Sequence, residues 1–200
     1  FEKDKMKHVG MLQSRIDESQ FDWVGSNIHF KTGDNGQPVI QSKNLVDDAL
    51  VEVNGVKVGI VSATTQTKTA EYIESFAPTN EVIGRLTREL RGKGARLVIA
   101  ITHQRVSEDE EMLSTLGKDA PDLVAGGHEH ERHLKQVDGH ALVKADSDVK
   151  SAAIVKVQLT PGGPKFVTHY VDFPGKLSPD LKIQQRVADW TARFGKEYCI

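Results

Sequence analysis

Leu97-Val-Ile-Ala-Ile-Thr-His103 and Asp122-Leu-Val-Ala-Gly-Gly-His-Glu-His-Glu131 decide the reading of this chain. Each is a short apolar run rich in β-formers that stops abruptly at histidine. Runs of four to eight apolar residues bounded by polar or glycine signals read as strands buried on both faces. Two such strands joined by a helical stretch form a β-α-β unit, and ligands of open α/β sheets gather at the carboxyl ends of the strands. His103, His128 and His130 are therefore expected at one rim of one sheet. Neutral imidazole is the commonest nitrogen ligand for transition metals, so a metal site is the leading expectation. Gly126 and Gly127 lack a Cβ, and their backbone can turn tightly and approach a bound ion or phosphate. In a continuing strand His128 and His130 would share a face about 7 Å apart; a turn after Gly127 aims both at one cluster. The bland alternative is a strand-end histidine beside a solvated His-Glu-His loop.

The flanking sequence supplies the frame. Residues 3–19 carry a helical stripe of Met6, Val9, Leu12 and Ile16. Phe21 to Ile28 reads as a strand. Ala49–Val53 and Val56–Ala63 flank Asn54-Gly55, and Leu134–Val137 and Ala141–Val143 flank Asp138-Gly139. Asn-Gly and Asp-Gly are the strongest short hairpin signals, because a type I′ turn needs positive φ at both central residues. Thr79 or Asn80 is expected to cap a helix with Val82, Ile83, Leu86 and Leu90 on its apolar face. Its arginines are interleaved with Glu81 and Glu89, which points to a solvated face rather than a basic patch. Ser107 opens a second helix whose acids complement the helix dipole, with Glu110 and Glu111 as minor ligand candidates. Asp122 is expected to close the turn after Pro121, and His140 to be exposed. Lys150–Leu159 and Lys165–Phe173 read as strands around Thr160-Pro-Gly-Gly-Pro164. Ser178-Pro-Asp180 opens a terminal helix with an apolar stripe from Leu181 to Phe194. The polar run Ser62–Thr69 reads as a solvated loop.

Composition excludes several classes. A net charge of −2 gives no electrostatic reason to expect nucleic acid or an anionic membrane. No apolar run reaches the roughly 20 residues that span a bilayer. The single Cys199 excludes an internal disulfide and a cysteine zinc site. Phe1-Glu-Lys-Asp-Lys is not a signal peptide, and compartment and oligomeric state are not readable.

Thr102-His-Gln-Arg-Val-Ser-Glu-Asp-Glu-Glu-Met112 followed by Asp122-Leu-Val-Ala-Gly-Gly-His-Glu-His-Glu131 resembles the last two metal-binding blocks of calcineurin-like metallophosphoesterases, in the 5′-nucleotidase and UDP-sugar hydrolase branch. Phe21-Asp-Trp-Val-Gly-Ser-Asn27 and Val53-Asn-Gly-Val-Lys-Val-Gly-Ile-Val-Ser-Ala-Thr-Thr65 resemble upstream strands of that branch. The resemblance implies an α/β fold, a partial four-layer α/β/β/α sandwich over residues 1–176, with 177–200 as a terminal helix towards a second domain. It implies two divalent ions (zinc, manganese or iron), His103 and His128 on one and His130 on the other. Asp109 would steady His103, with Gly126 and Gly127 shaping the turn. The substrate class it implies is a small phosphate ester, a nucleotide or relative. The Asp-x-His, Gly-Asp-x-x-Asp and Gly-Asn-His-Glu blocks do not occur in this sequence, and the catalytic histidine of the family lies in the last of them. Phe1 resembles the residue that follows that block, so the chain is expected to be an N-terminally truncated domain of impaired activity. A mononuclear three-histidine hydrolase and an inactive binding or structural module stay open as alternatives.

Overall fold

The computed structural model describes the backbone of residues 2–65, 70–173, 175 and 178–198, and the side chains of 9–65, 70–173, 175 and 178–194. Residues 66–69 of the Ser62–Thr69 run, and Cys199, lie outside the described residues. The elements follow in the order α1 (Glu2–Glu18), β1 (Trp23–Val24), β2 (Ile28–Phe30), β3 (Leu45–Val46), β4 (Ala49–Val53), β5 (Val56–Thr64), β6 (Ile73–Phe76) and α2 (Thr79–Gly92). Then come β7 (Leu97–His103), α3 (Val106–Leu116), β8 (Leu123–Gly126), β9 (His133–Val137), β10 (His140–Lys144), β11 (Ser151–Thr160), β12 (Gly163–Asp172) and α4 (Leu181–Tyr198).

The main sheet has six strands in the order β4-β5-β7-β8-β10-β9. Its four inner strands run parallel, and the two outer ones are the antiparallel arms of hairpins. Both hairpin turns form as the dipeptides predict: Asn54 and Gly55 have φ of 51° and 76°, and Asp138 and Gly139 have 50° and 90°. The inner strands carry the apolar runs because helices cover one face and other strands approach the second.

Alternation divides each strand between the two faces. On one side Val61, Val98, Ala100, Val124 and Leu142 meet Ile83, Leu86 and Leu90 of α2 and Met112 and Leu113 of α3. Burying each such side chain contributes about 1.5–3 kcal/mol. On the other side Leu123, Ala141, Val143 and Ile99 pack on Ala153, Val155 and Phe166 of the β11–β12 hairpin. Ile101 lies one row further along that face and is 51% exposed.

Several local expectations are corrected. The Phe21–Ile28 strand is two short pieces, β1 pairing with β3 and β2 with β6. Between them, side chains replace the ladder. Asn27, 2% exposed, donates to Thr64 O and accepts from Thr64 N, while the Ser26 hydroxyl accepts from Ser62 N. Helix α2 starts after Pro78 without a side-chain cap, because the Thr79 hydroxyl turns to Gln104 instead. Helix α3 starts after Arg105, whose backbone N–H is taken by Glu108. Asp122 does not close a turn. Its carboxylate accepts from Val98 N on β7 and from the Arg91 guanidinium, so Arg91 joins α2 to the sheet instead of standing in solvent. His140 is half-buried and its Nδ1 lies 2.9 Å from Pro121 O. On α4, Asp180 caps the first turn, but Leu181, Val187 and Trp190 remain 78%, 59% and 56% exposed, so that stripe lacks the packing expected of it.

Candidate metal centre at the strand rim

Strand β7 delivers His103 to the rim. Its register is fixed on both sides, since Thr65 N donates to His103 O and Gly127 N donates to Thr102 O, at 3.0 and 2.9 Å. The odd positions of β7 face away from the helices, so His103 continues the Ile99, Ile101 row and is exposed at its end. After β8 the chain turns at once. His128 adopts φ 90° and His130 φ 63°, in the left-handed region that few residues other than glycine enter. Such conformations cost on the order of 1–3 kcal/mol each and collect at functional sites.

That turn brings His128 against His103. The ring centroids are 5.3 Å apart and the planes meet at 87°, an edge-to-face pair. Neither ring has a hydrogen-bond partner among the described residues, which leaves imidazole nitrogens free to ligate. Gly127 lies beside the pair. A Cβ there would stand 3.5 Å from His103 Nδ1, in contact with that nitrogen. His130 is exposed and does not join the pair; its charged neighbour is Asp148. Among the described residues no group of three His, Cys, Asp or Glu side chains faces a single point. The residues thus fit as two nitrogen ligands and not as a full metal site, which needs at least four donors.

Behind the rim lies a buried polar cluster that the sequence did not announce. Thr102, Gly126 and Lys144 sit opposite one another across β7, β8 and β10, all on the helix-covered face. Lys144 is 1% exposed, and its ammonium lies 2.7 Å from each of Asp109 Oδ2, Glu129 Oε2 and Gln104 O. Two of these contacts, to Glu129 and Gln104, are hydrogen bonds, and the third is an ion pair with Asp109. Gln104 Nε2 also donates to Asp109 Oδ1 at 2.9 Å. Asp109 is therefore not a solvated first-turn acid: it is fully buried and reaches the histidine rim through Gln104. Burial pushes its carboxyl above the usual carboxylate range, more than the bonds and charge from Lys144, Thr102 and Gln104 pull it down.

Glu129 turns to the cluster rather than to the two histidines that flank it. One oxygen takes Lys144 and the other takes Val106 N, the first amide of α3. Partial burial would raise its carboxyl, but the Lys144 bond, the Val106 amide and the Lys144 charge outweigh that and hold it below the usual range. Glu110 pairs with Lys135 on β9, which directs it away from the rim. Gly126 leaves room for this cluster: a Cβ there would lie 2.8 Å from both Lys144 Cε and Thr102 Oγ1. A lysine ending an apolar strand was the only signal for the cluster, and alone it reads as a surface residue.

The architecture has solved counterparts. The 5′-nucleotidase precursor of Thermus thermophilus superposes with a TM-score of 0.70 at 15% identity, over 92% of this chain and 40% of that one. The NAD nucleotidase NadN of Haemophilus influenzae gives 0.71 at 12% identity, over 94% and 48%. The sulfate thiohydrolase SoxB of Thermus thermophilus gives 0.69 at 17%, over 88% and 32%. The chain thus spans less than half the length of these proteins. No protein-family model matches the chain, and no curated protein matches its sequence. The chain has the calcineurin-like metallophosphoesterase fold, with a six-stranded mixed sheet and helices as its described core. None of its described helices is long and apolar enough to cross a membrane.

Proposed function

We propose that this chain carries the histidine-bearing part of a metal-dependent phosphoester hydrolase site, acting on nucleotides or related small phosphate esters. The observation that supports it is the His103–His128 pair, without hydrogen-bond partners among the described residues and placed at the carboxyl ends of parallel strands in a fold shared with nucleotidases. In this reading His103 and His128 hold one divalent ion and His130 contributes to a second. Zinc, manganese and iron all suit imidazole donors. Bound ions of this kind polarise phosphoryl oxygens and lower the pKa of water. Asp109 acts behind His103, Gly127 keeps the approach to its ring open, and Gly126 leaves room for the cluster beneath. Residues 1–176 form the phosphoesterase portion and 177–200 a terminal helix leading away from it.

Two imidazoles without a carboxylate leave a dication's charge uncompensated, so the chain binds metal weakly and turns over slowly by itself. Metal content of the purified chain, before and after chelation and beside His128→Ala, tests the reading. Transition metal that disappears in the variant is the expected result; equal metal in both would refute the site.

A second reading rests on the lack of a third converging ligand among the described residues: an inactive binding or structural module built on the same fold. Fold does not select the ester either, since a sulfate thiohydrolase shares it. Turnover of a phenyl phosphate, nucleotide or thiosulfate ester by the chain joined to the blocks that carry the other ligands separates these readings. No turnover of any of them supports the module.

A further inference from the structure

The two turns that carry the histidines share one anchor. Gln104 follows His103, Glu129 separates His128 from His130, and both are bound by the same ammonium, that of Lys144 at the end of β10. Asp109 holds that ammonium from α3, and the second oxygen of Glu129 caps the first amide of the same helix. The arrangement depends on Gly126, because any side chain there would stand where Lys144 crosses towards its partners. Glu129 is also the residue between the two positive-φ histidines. Besides its two bonds, the turn is tied by Gly127 N to Thr102 O at 2.9 Å on the strand side and by Ser147 N to His130 O at 3.4 Å on the far side, so Glu129 is the side chain that holds the segment between them.

From this we infer that Lys144 and Glu129 are positioning residues: a buried ammonium–carboxylate clamp that sets the separation and angle of the His103 and His128 rings before any ligand arrives. The inference rests on the reading of that pair as metal ligands only for its consequence in affinity. Its structural content is independent of metal. Neither residue touches substrate in this scheme, and the charge of Lys144 is spent inside the protein.

The test uses the full chain, and Lys144→Met is avoided because it strands Asp109 in the core. Glu129→Ala removes the clamp on the rim side, Glu129→Gln keeps one acceptor oxygen for one of the two donors, Val106 N or Lys144, and turns an amide NH2 to the other, and Leu90→Ala removes packing in the core away from the rim. The first readout is metal-free: the proton nuclear Overhauser effect between the His103 and His128 rings. It is expected to persist in Leu90→Ala, to weaken in Glu129→Gln, which keeps one of the two bonds, and to vanish in Glu129→Ala. The second is zinc affinity by calorimetry, expected to fall about 10- to 100-fold in Glu129→Ala, the usual loss when the support of a ligand is removed. It should stay within about threefold in Leu90→Ala. Ring contact preserved in Glu129→Ala would overturn the inference, as would equal loss in Leu90→Ala. Zinc binding absent from wild type, with the ring contact behaving as expected, would refute the metal reading and leave the clamp standing.

Discussion

Gly126→Ala is the sharpest perturbation the structure offers, because a single methyl group must enter a space already filled. Its Cβ would lie 2.8 Å from Lys144 Cε and from Thr102 Oγ1, and 3.3 Å from Asp109 Oδ2. Non-bonded carbons rest about 3.5–4.0 Å apart, so the lysine carbon must retreat by roughly 0.7–1.2 Å. It is not a free chain end. The ammonium beyond it is fixed by three 2.7 Å contacts, and Thr102 is locked in the parallel ladder. Overpacking of this kind costs about 1–3 kcal/mol. The backbone at Gly126 lies outside the left-handed region, so alanine gains about 0.4–1 kcal/mol by restricting the unfolded chain. The net expectation is a loss of about 1–2 kcal/mol, or a drop in Tm of about 2–8 °C for a chain of this size. Differential scanning calorimetry of wild type, Gly126→Ala, Thr102→Ala and the double variant measures it. With the threonine oxygen gone, part of the crowding disappears, and the double variant should lose less than the two single losses together. Gly126→Ala melting at or above wild type, or strict additivity, would refute the packing argument.

Two further outcomes follow from other parts of the structure. Asn27→Ala leaves the Thr64 N–H and C=O without their buried partner and should cost about 1–3 kcal/mol in chemical denaturation; a midpoint unchanged from wild type would contradict the side-chain bridge to β5. Carboxyl-carbon NMR should place the Asp109 midpoint above the ordinary value of 3.8 and that of Asp146 below it, where the Ser151 hydroxyl and then the Arg132 guanidinium favour the anion. By linkage, the stability Asp146 supplies is present above 3.8 and lost as pH falls through its lowered value, whereas that of Asp109 declines as pH rises from 3.8 towards its raised value. Midpoints in the reverse order would refute both assignments.

Much of the fold is legible from local pattern. The Leu97 and Leu123 runs announce buried strands, and Asn54-Gly55 and Asp138-Gly139 announce their turns, because each signal depends on a few adjacent residues. The rim is legible for the same reason: an apolar run that ends in histidine says where its side chain emerges. What escapes is whatever depends on partners distant in sequence. Lys144 looks like an ordinary strand-end lysine until Asp109 and Glu129 arrive from other elements. Asp122 looks like a turn former until Val98 and Arg91 face it. His130 looks equivalent to His128, yet two successive excursions to positive φ separate their rings. The stripe on α4 predicts a buried face, and periodicity cannot say what would cover it.

The arrangement of strands also imposes an order in time. The outer pairs β4–β5 and β9–β10 close over two-residue turns, a step of microseconds that costs little chain entropy. The inner parallel pairs join across residues 65–96, 104–122 and 127–139, so each must close a longer loop before any contact rewards it. Thr64 meets His103, Thr102 meets Gly126 and Gly126 meets Lys144 at the far ends of those late pairings. The rim therefore takes its shape only once these longer loops have closed.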